Sequence, residues 1–514
     1  MFFISHRKRI GEFALVFFLS AAFFSFFQQY KTFPDPDSFY HAKMGALLSE
    51  GTVLHEFPWL SFTILRDRFV DHHFLYHLLL VPFIRVAGPL LGTTIATIFF
   101  ASLVIVVFHW LLRRFAIRYA PLFTLLLCTT GAFIFRMNLA KASSLSVVFF
   151  LLLLWVLWER RAAMIFFLAF FYVWLFDGWP LALLASAAVL LGTFIASRAT
   201  RENTRVVLWK PFVVTIAGLI VGIVVNPYFP ANVSFFWSHI GRIALLRPFN
   251  VVPLGMEWGA LAPLELFNFA PVLFISGLIF SVLFFLRIPE ATADDRARIV
   301  RFAPYIFSTG LLAGILFVAT LTARRHAEYF IPIATLFLAF LFTSIAGEPQ
   351  VWMRHMCASF LPRRRFLRIL IIVYFVAVPS FLLWRDMSAT VTRYRDGYSW
   401  NRYRGVAEYL RTHTDKGTLV FNSRWDDFPM LFYWGDWNRY IVGLDPTFLY
   451  LFDRDAYERF TAIVRGEGDL QKGIAQFGAH LFLVSEKDKD LLEKIKTAGL
   501  PELYHDSEAH LYAI

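Results

Sequence analysis

Cysteine is nearly missing from this chain. Two occur in 514 residues, Cys128 inside an apolar run and Cys357 in a basic loop. That excludes a disulfide framework and leaves the redox compartment open. Charge is scarce as well: 17% of residues are Asp, Glu, Lys or Arg, where a soluble domain carries about a quarter. A soluble enzyme and a disordered chain are therefore both excluded. No internal repeat and no low-complexity linker is evident. Nucleic acid is not expected as a partner either. The net charge of +12 sits in short loops, with no recognised DNA or RNA motif beside it.

What the chain has in abundance is apolar surface, with 58% hydrophobic residues and 61 phenylalanines. The class this implies is a polytopic α-helical membrane protein. An N-terminal basic cluster, Arg7-Lys8-Arg9, precedes an apolar run to Phe27 with no small-residue cleavage site, the pattern of an uncleaved anchor. Further spans are expected at 93–112, 119–137, 143–158, 163–178, 180–197, 208–226, 267–287, 302–321, 328–346 and 367–385. The total is about 11 transmembrane helices, with 12–13 as the upper range. Eleven crossings gather 21 Lys and Arg on the N-terminal side. By the positive-inside rule that side is cytoplasmic, and the protein is expected in the plasma or inner membrane. The run His73–Gly88 is short and carries two His, a Pro and an Arg, so a helix lying in the outer interface is expected there.

Charge also divides the chain. Residues 1–385 hold 33 basic against 17 acidic residues, and 386–514 hold 16 against 20. The expected organisation is a membrane domain, 1–385, with long outer loops at 28–92 and 227–266, followed by a small extracytoplasmic α/β domain, 386–514. In that tail, Thr418–Asn422, Tyr440–Leu444 and His480–Val484 read as buried strands, and Tyr403–Thr412 and Asp488–Thr497 as helices. Glu502–His505 and His510–Ile514 would close a largely parallel sheet.

Within this apolar chain a few charges stand out. Asp35-Pro36-Asp37 opens the first loop with two carboxylates that need water, a partner or a cation. An extended backbone at Pro36 would point them apart, one toward a cavity and the other to a cation or to the helix starting near Ser38. Asp71-His72-His73 is followed by His77, and the i, i+4 pair His73/His77 suits either a metal or lipid headgroups. Arg324-Arg325-His326 lies on an outer edge, where a lipid-linked phosphate or Glu328 would pair it. Arg136 and Lys141 invite the same two readings. Glu257-Trp258 sets an acid beside a sugar-stacking ring, and Trp425-Asp426 follows the first tail strand, where α/β folds place ligand loops.

Taken in order, these segments resemble oligosaccharyltransferase catalytic subunits. Asp37-Ser38-Phe39-Tyr40-His41-Ala42-Lys43 resembles their first-loop D-x-Y-Y-H-x-R run. Arg324-Arg325-His326-Ala327-Glu328-Tyr329-Phe330 resembles their R-F-x-x-Y element, and the tail resembles the start of their soluble domain, whose sequon-reading W-W-D motif survives as Arg424-Trp425-Asp426. The resemblance implies a divergent GT-C glycosyltransferase that uses a polyprenyl-phosphate-linked sugar donor. Asp37 would then be the catalytic carboxylate, assisted by Asp35 and Glu257. Arg324, Arg325, Arg136 and Lys141 would bind donor phosphate. Tyr40, His41, His73, His77, Trp258, Trp425 and Asp426 would hold acceptor or substrate. A divalent cation, Mg or Mn, would have Asp35, Asp37 and Glu257 as its ligands. The family's second-loop D-x-E pair is missing, however: Arg136 to Lys141 contains no acid. The acceptor is therefore open among lipid, glycan and protein. Transfer to asparagine, or a transporter or flippase of glycolipid precursors, are the alternatives.

Overall fold

A computed structural model describes residues 2–200, 209–241, 252, 255–287, 292–345 and 365–514. The basic loop around 354–364, with Cys357, lies outside the described residues, as does the middle of the second long loop.

Apolar helices dominate up to Arg395. Five are long and apolar enough to cross a membrane: Arg9–Phe27, Pro89–Arg114, Pro180–Thr200, Ala293–Thr322 and Arg324–Ile345. At about 1.5 Å per residue, each can span the roughly 30 Å hydrocarbon layer with modest mismatch. The chain is an integral membrane protein. Two bent pairs could bring the spans to seven, namely Ala120–Leu127 with Gly131–Met137, bent by 78°, and Pro263–Phe269 with Pro271–Val282, bent by 95°. The straight span expected over 119–137 is therefore a broken one. Its second arm carries Arg136 back into the protein. Ser143–Trp158, Ala162–Leu175 and Lys210–Val224 are apolar but shorter. Eleven full-length crossings are not found among the described residues.

Arg324–Ile345 is the central staff, with 94% of its apolar stretch buried. Close helix contact comes from small residues. A Cβ on Gly192 would lie 2.5 Å from the Ser308 backbone. Gly218 and Gly222, four apart, hold Lys210–Val224 against the Phe166 and Phe170 carbonyls, at 2.5 and 2.7 Å from an added Cβ. Lipid offers no hydrophobic drive between helices, so such backbone approach is where van der Waals attraction is gained.

The tail forms a five-stranded sheet. Its strands, numbered after β1 (Thr32–Phe33) and β2 (Tyr398–Ser399), are β3 (Leu419–Asn422), β4 (Arg439–Tyr440), β5 (Leu481–Ser485), β6 (Glu502–His505) and β7 (Ala509–Ala513), in the order β4-β3-β5-β7-β6. The β4, β3 and β5 strands run parallel, whereas β7 is antiparallel to both β5 and β6. The sheet is mixed rather than largely parallel, because β6 and β7 are joined by a tight turn that reverses the chain. Helices Arg404–His413, Arg454–Val464 and Lys489–Ala498 cover it.

The first loop is the joint between membrane helices and sheet. Its β1 pairs antiparallel with β2, Thr32 opposite Ser399, and Leu60 bridges to Tyr440 beside β4. Phe57 lies 4.9 Å from Phe69 and 5.0 Å from Phe432, ring centre to ring centre. Residues 33–60 are thus clamped on both sides, and whatever charge they carry is held in place.

Candidate active site

The helix Asp37–Ser49 begins with Pro36 already in helical geometry, φ −66° and ψ −29°. That overturns the extended backbone expected at Pro36. Its consequence is convergence: the Asp35 and Asp37 carboxylates do not point apart but meet at one cation. Lys141 Nζ lies 3.1 Å from Asp35 Oδ2 and 2.8 Å from Asp37 Oδ2. Asp35 also accepts the Asp37 backbone N–H at 2.9 Å, so the helix start is served by Asp35 and not by the Asp37 side chain. Burial pushes the Asp35 carboxyl up to about 6, against the pull of Lys141 and with help from Asp37.

Glu257 joins the cluster from the second long loop. Its Oε2 is 3.7 Å from Lys141 Nζ and 2.7 Å from Arg136 Nη1, and its Oε1 is 3.9 Å from Arg325 Nη1. Burial alone would raise this carboxyl, but Lys141, Arg325 and Arg136 together hold it well below the usual range. Arg136 reaches on to Glu328 at 2.8 Å, a residue fully buried on the central helix. Glu328 therefore pairs with Arg136, not with the neighbouring arginines as one sequence alternative had it.

The two arginines of the short turn Arg324–His326 part company. Arg325 turns inward, stacking 4.5 Å above Trp258 and 5.6 Å from Phe176. Arg324 stays half exposed, 3.3 Å from the Ala260 carbonyl and 3.5 Å from Glu265. Of the pair, only Arg325 meets the cluster.

Arg325, Trp258, Asp177 and Tyr329 line a cavity of about 1980 Å³ together with Trp425 and Asp426 of the tail. The Asp426 carboxylate is held by Arg424 at 2.9 Å, and Arg424 is also bound to Asp488 at 3.1 Å. Asp35 and Asp37 connect to this cavity through Glu257 and Arg325 rather than lining it. The Tyr329 hydroxyl, on the cavity wall, lies 2.6 Å from Ser146 Oγ.

The histidines separate into two groups. His41 Nδ1 is 2.7 Å from His77 Nε2, and His77 Nδ1 is 2.7 Å from Asp71 Oδ2, a relay sealed from solvent. Burial, then His77, lowers the His41 imidazole well below its usual value. Tyr40 is buried beside them, 5.8 Å from the His77 ring. Tyr40, His41 and His77 therefore do not reach the cavity. His73 lies between the two groups, its ring centre 4.0 Å from His72 and 5.6 Å from Phe176 on one side, and 5.2 Å from His41 and 6.1 Å from His77 on the other. The His73/His77 pair meets only ring edge to ring and offers no shared metal point, because both His77 nitrogens are engaged by His41 and Asp71. Sequence reasoning missed Asp177 and His239 as partners of this second group. The signal was a lone carboxylate between two apolar runs, Phe176-Asp177-Gly178.

A divalent cation bound by Asp35, Asp37 and Glu257 does not fit this arrangement. The Lys141 ammonium already occupies the point on which their oxygens converge, and it supplies the positive charge there.

In the arrangement of its helices and α/β unit the chain has a divergent GT-C fold, shown by its likeness to solved structures. No family model and no curated protein sequence matches the chain. Among solved structures it is similar to the oligosaccharyltransferase AglB of Archaeoglobus fulgidus in complex with an inhibitory peptide and a dolichol-phosphate. The TM-score is 0.60 at 10% identity, over 92% of this chain and 69% of AglB. It is similar as well to ArnT of Cupriavidus metallidurans bound to undecaprenyl phosphate, with a TM-score of 0.53 at 15% identity, over 98% of this chain and 97% of ArnT.

Proposed function

We propose that the protein is a glycosyltransferase moving a sugar from a polyprenyl-phosphate donor to an acceptor hydroxyl, with Asp37 as the base and the tail on the outer side of the membrane. The observation that carries this reading is the continuous ion network from Asp37 through Lys141 and Glu257 to Arg325, ending on the large cavity. The similarity to two proteins solved with polyprenyl phosphates supports the donor class.

The acceptor hydroxyl attacks the anomeric carbon of the donor. As the new C–O bond forms, the bond from that carbon to the phosphate oxygen breaks, and the acceptor proton passes to the Asp37 carboxylate. Negative charge grows on the departing phosphate. Arg325, lying over the Trp258 and Phe176 rings, offers its planar fork to that charge. Lys141 Nζ, 2.8 Å from Asp37 Oδ2, holds that carboxylate in position. Trp258 and Trp425, both lining the cavity, provide apolar faces on which sugar rings can stack. Asp426 is held by Arg424, so it is not free to recognise an asparagine-bearing peptide by itself. A hydroxyl acceptor on lipid, glycan or protein is therefore the reading adopted.

The test is transfer by the reconstituted protein from a panel of radiolabelled undecaprenyl-phosphate-linked sugars. Asp37→Asn is expected to cut turnover by about 10²–10⁴-fold, the usual cost of losing a general base, while undecaprenyl phosphate still binds. A fully active Asp37→Asn protein removes the assignment of the base.

A further inference from the structure

Away from the lysine cluster, three histidines from two segments gather around one carboxylate from a third. His72 and His73 precede the helix Phe74–Ala87, Asp177 lies between Ala162–Leu175 and Pro180–Thr200, and His239 comes from the short turn Trp237–Gly241. Asp177 Oδ2 is 3.7 Å from His72 Nε2 and 3.3 Å from His239 Nδ1. Ligand atoms of His72, His73 and Asp177 all lie within 4.8 Å of one another. His73 Nδ1, His239 Nδ1 and Asp177 Oδ1 are buried with no hydrogen-bond partner, a costly arrangement unless something else binds there.

We propose that His72, His73, Asp177 and His239 form a transition-metal site that takes Zn²⁺. The spacing suits it. Bonds of about 2.0–2.2 Å in a tetrahedron place neighbouring ligand atoms about 3.3–3.5 Å apart, and the Asp177 contacts are at 3.3 and 3.7 Å. Three imidazoles and one carboxylate favour zinc over magnesium or calcium, which prefer all-oxygen shells. Four protein ligands make the site closed, hence structural. It ties the first loop, the Asp177 turn and the second long loop together at the cavity wall, where Asp177 and Phe176 already lie. Asp71 supports it from behind by accepting the His73 backbone N–H at 3.0 Å. This inference does not depend on the transferase reading.

The test uses the full chain in lipid nanodiscs, purified without a polyhistidine tag, loaded with Zn²⁺ and washed. Elemental analysis is expected to find about one zinc per chain, and the Co²⁺-substituted protein is expected to show the intense visible bands of a tetrahedral site. Chelation should lower the thermal midpoint of the parent. His72→Ala and His239→Ala should lose the metal, and His413→Ala, on an exposed helix, should keep it. If the alanine variants fail to fold, His239→Cys keeps the metal and adds a thiolate-to-cobalt absorption band. A parent that retains no zinc, or His72→Ala and His239→Ala variants with undiminished zinc, overturns the proposal. So does a His239→Cys protein whose cobalt spectrum is unchanged.

Discussion

Replacing Lys141 with methionine isolates what holds the candidate active site together. In the parent the ammonium is 12% exposed and balances Asp35 and Asp37 directly, at 3.1 and 2.8 Å. At an effective dielectric constant near 20, each contact of this length is worth about 4–6 kcal/mol before desolvation is counted. Removing one partner of a buried network then costs about 3–5 kcal/mol, because the carboxylates are left without their counter-ion. Glu257 keeps Arg136 and Arg325, so the loss falls on the aspartates. Its pH dependence has a definite sign. Asp35 already titrates near 6 when folded, against 3.8 for its ordinary value. Loss of the lysine raises it further. The folded variant then binds a proton more tightly than the unfolded chain, so its stability falls as pH rises from about 4 upward. The deficit relative to the parent is therefore expected to be greatest at pH 8 and smallest near pH 5. Tryptophan-fluorescence melts of parent and variant in nanodiscs, taken across that range, measure it. Mn²⁺ added to Lys141→Ala should recover part of the loss, since three carboxylates now face an empty position. An unaltered midpoint at pH 8, or a deficit independent of pH, refutes the electrostatic account.

Arg325→Ala should weaken undecaprenyl phosphate binding by about tenfold or more, as expected for a charge-assisted contact, whereas Arg324→Ala should leave it unchanged; equal effects of the two would reject the inward role of Arg325. Asp427, whose carboxyl burial and then Asp426 push up to about 7, makes the folded state less stable as pH climbs from about 4 to 7, by an amount on the order of a few kcal/mol. Asp427→Asn should flatten that slope in melts taken at pH 5 and 8. Gly192→Val should destabilise the bundle by about 1–3 kcal/mol through overpacking against Ser308, visible as a lower midpoint or poor insertion, and Gly192→Ala should sit between it and the parent.

Much of the tail was readable because alternation and short apolar runs are local signals. Glu502–His505 falls where it was expected, β3 starts one residue late, and β5 and β7 shift by one residue, whereas the strand expected at Tyr440–Leu444 is reduced to Arg439–Tyr440. The antiparallel closure was not readable, since strand direction depends on how the turn before Ala509 reverses the chain. The membrane helices were found as apolar runs, but their bends were not. A break such as Cys128–Thr130 between two apolar arms does not alter the composition that hydropathy averages.

The sequence by itself determined that this is a membrane protein with an α/β tail, and it singled out several of the charges that meet in the fold. Hydrophobic burial is additive along a segment, so composition and periodicity suffice for that. Which charges meet was decided only by the tertiary structure. Pro36 in helical geometry turns Asp35 and Asp37 to the same cation, and the bend after Ala120–Leu127 delivers Arg136 and Lys141 to carboxylates from other segments. Ion pairing falls off within a few ångströms in this setting, so it depends on where distant parts of the chain return. A lysine among three carboxylates, and three histidines around Asp177, exist only because the fold brings them together.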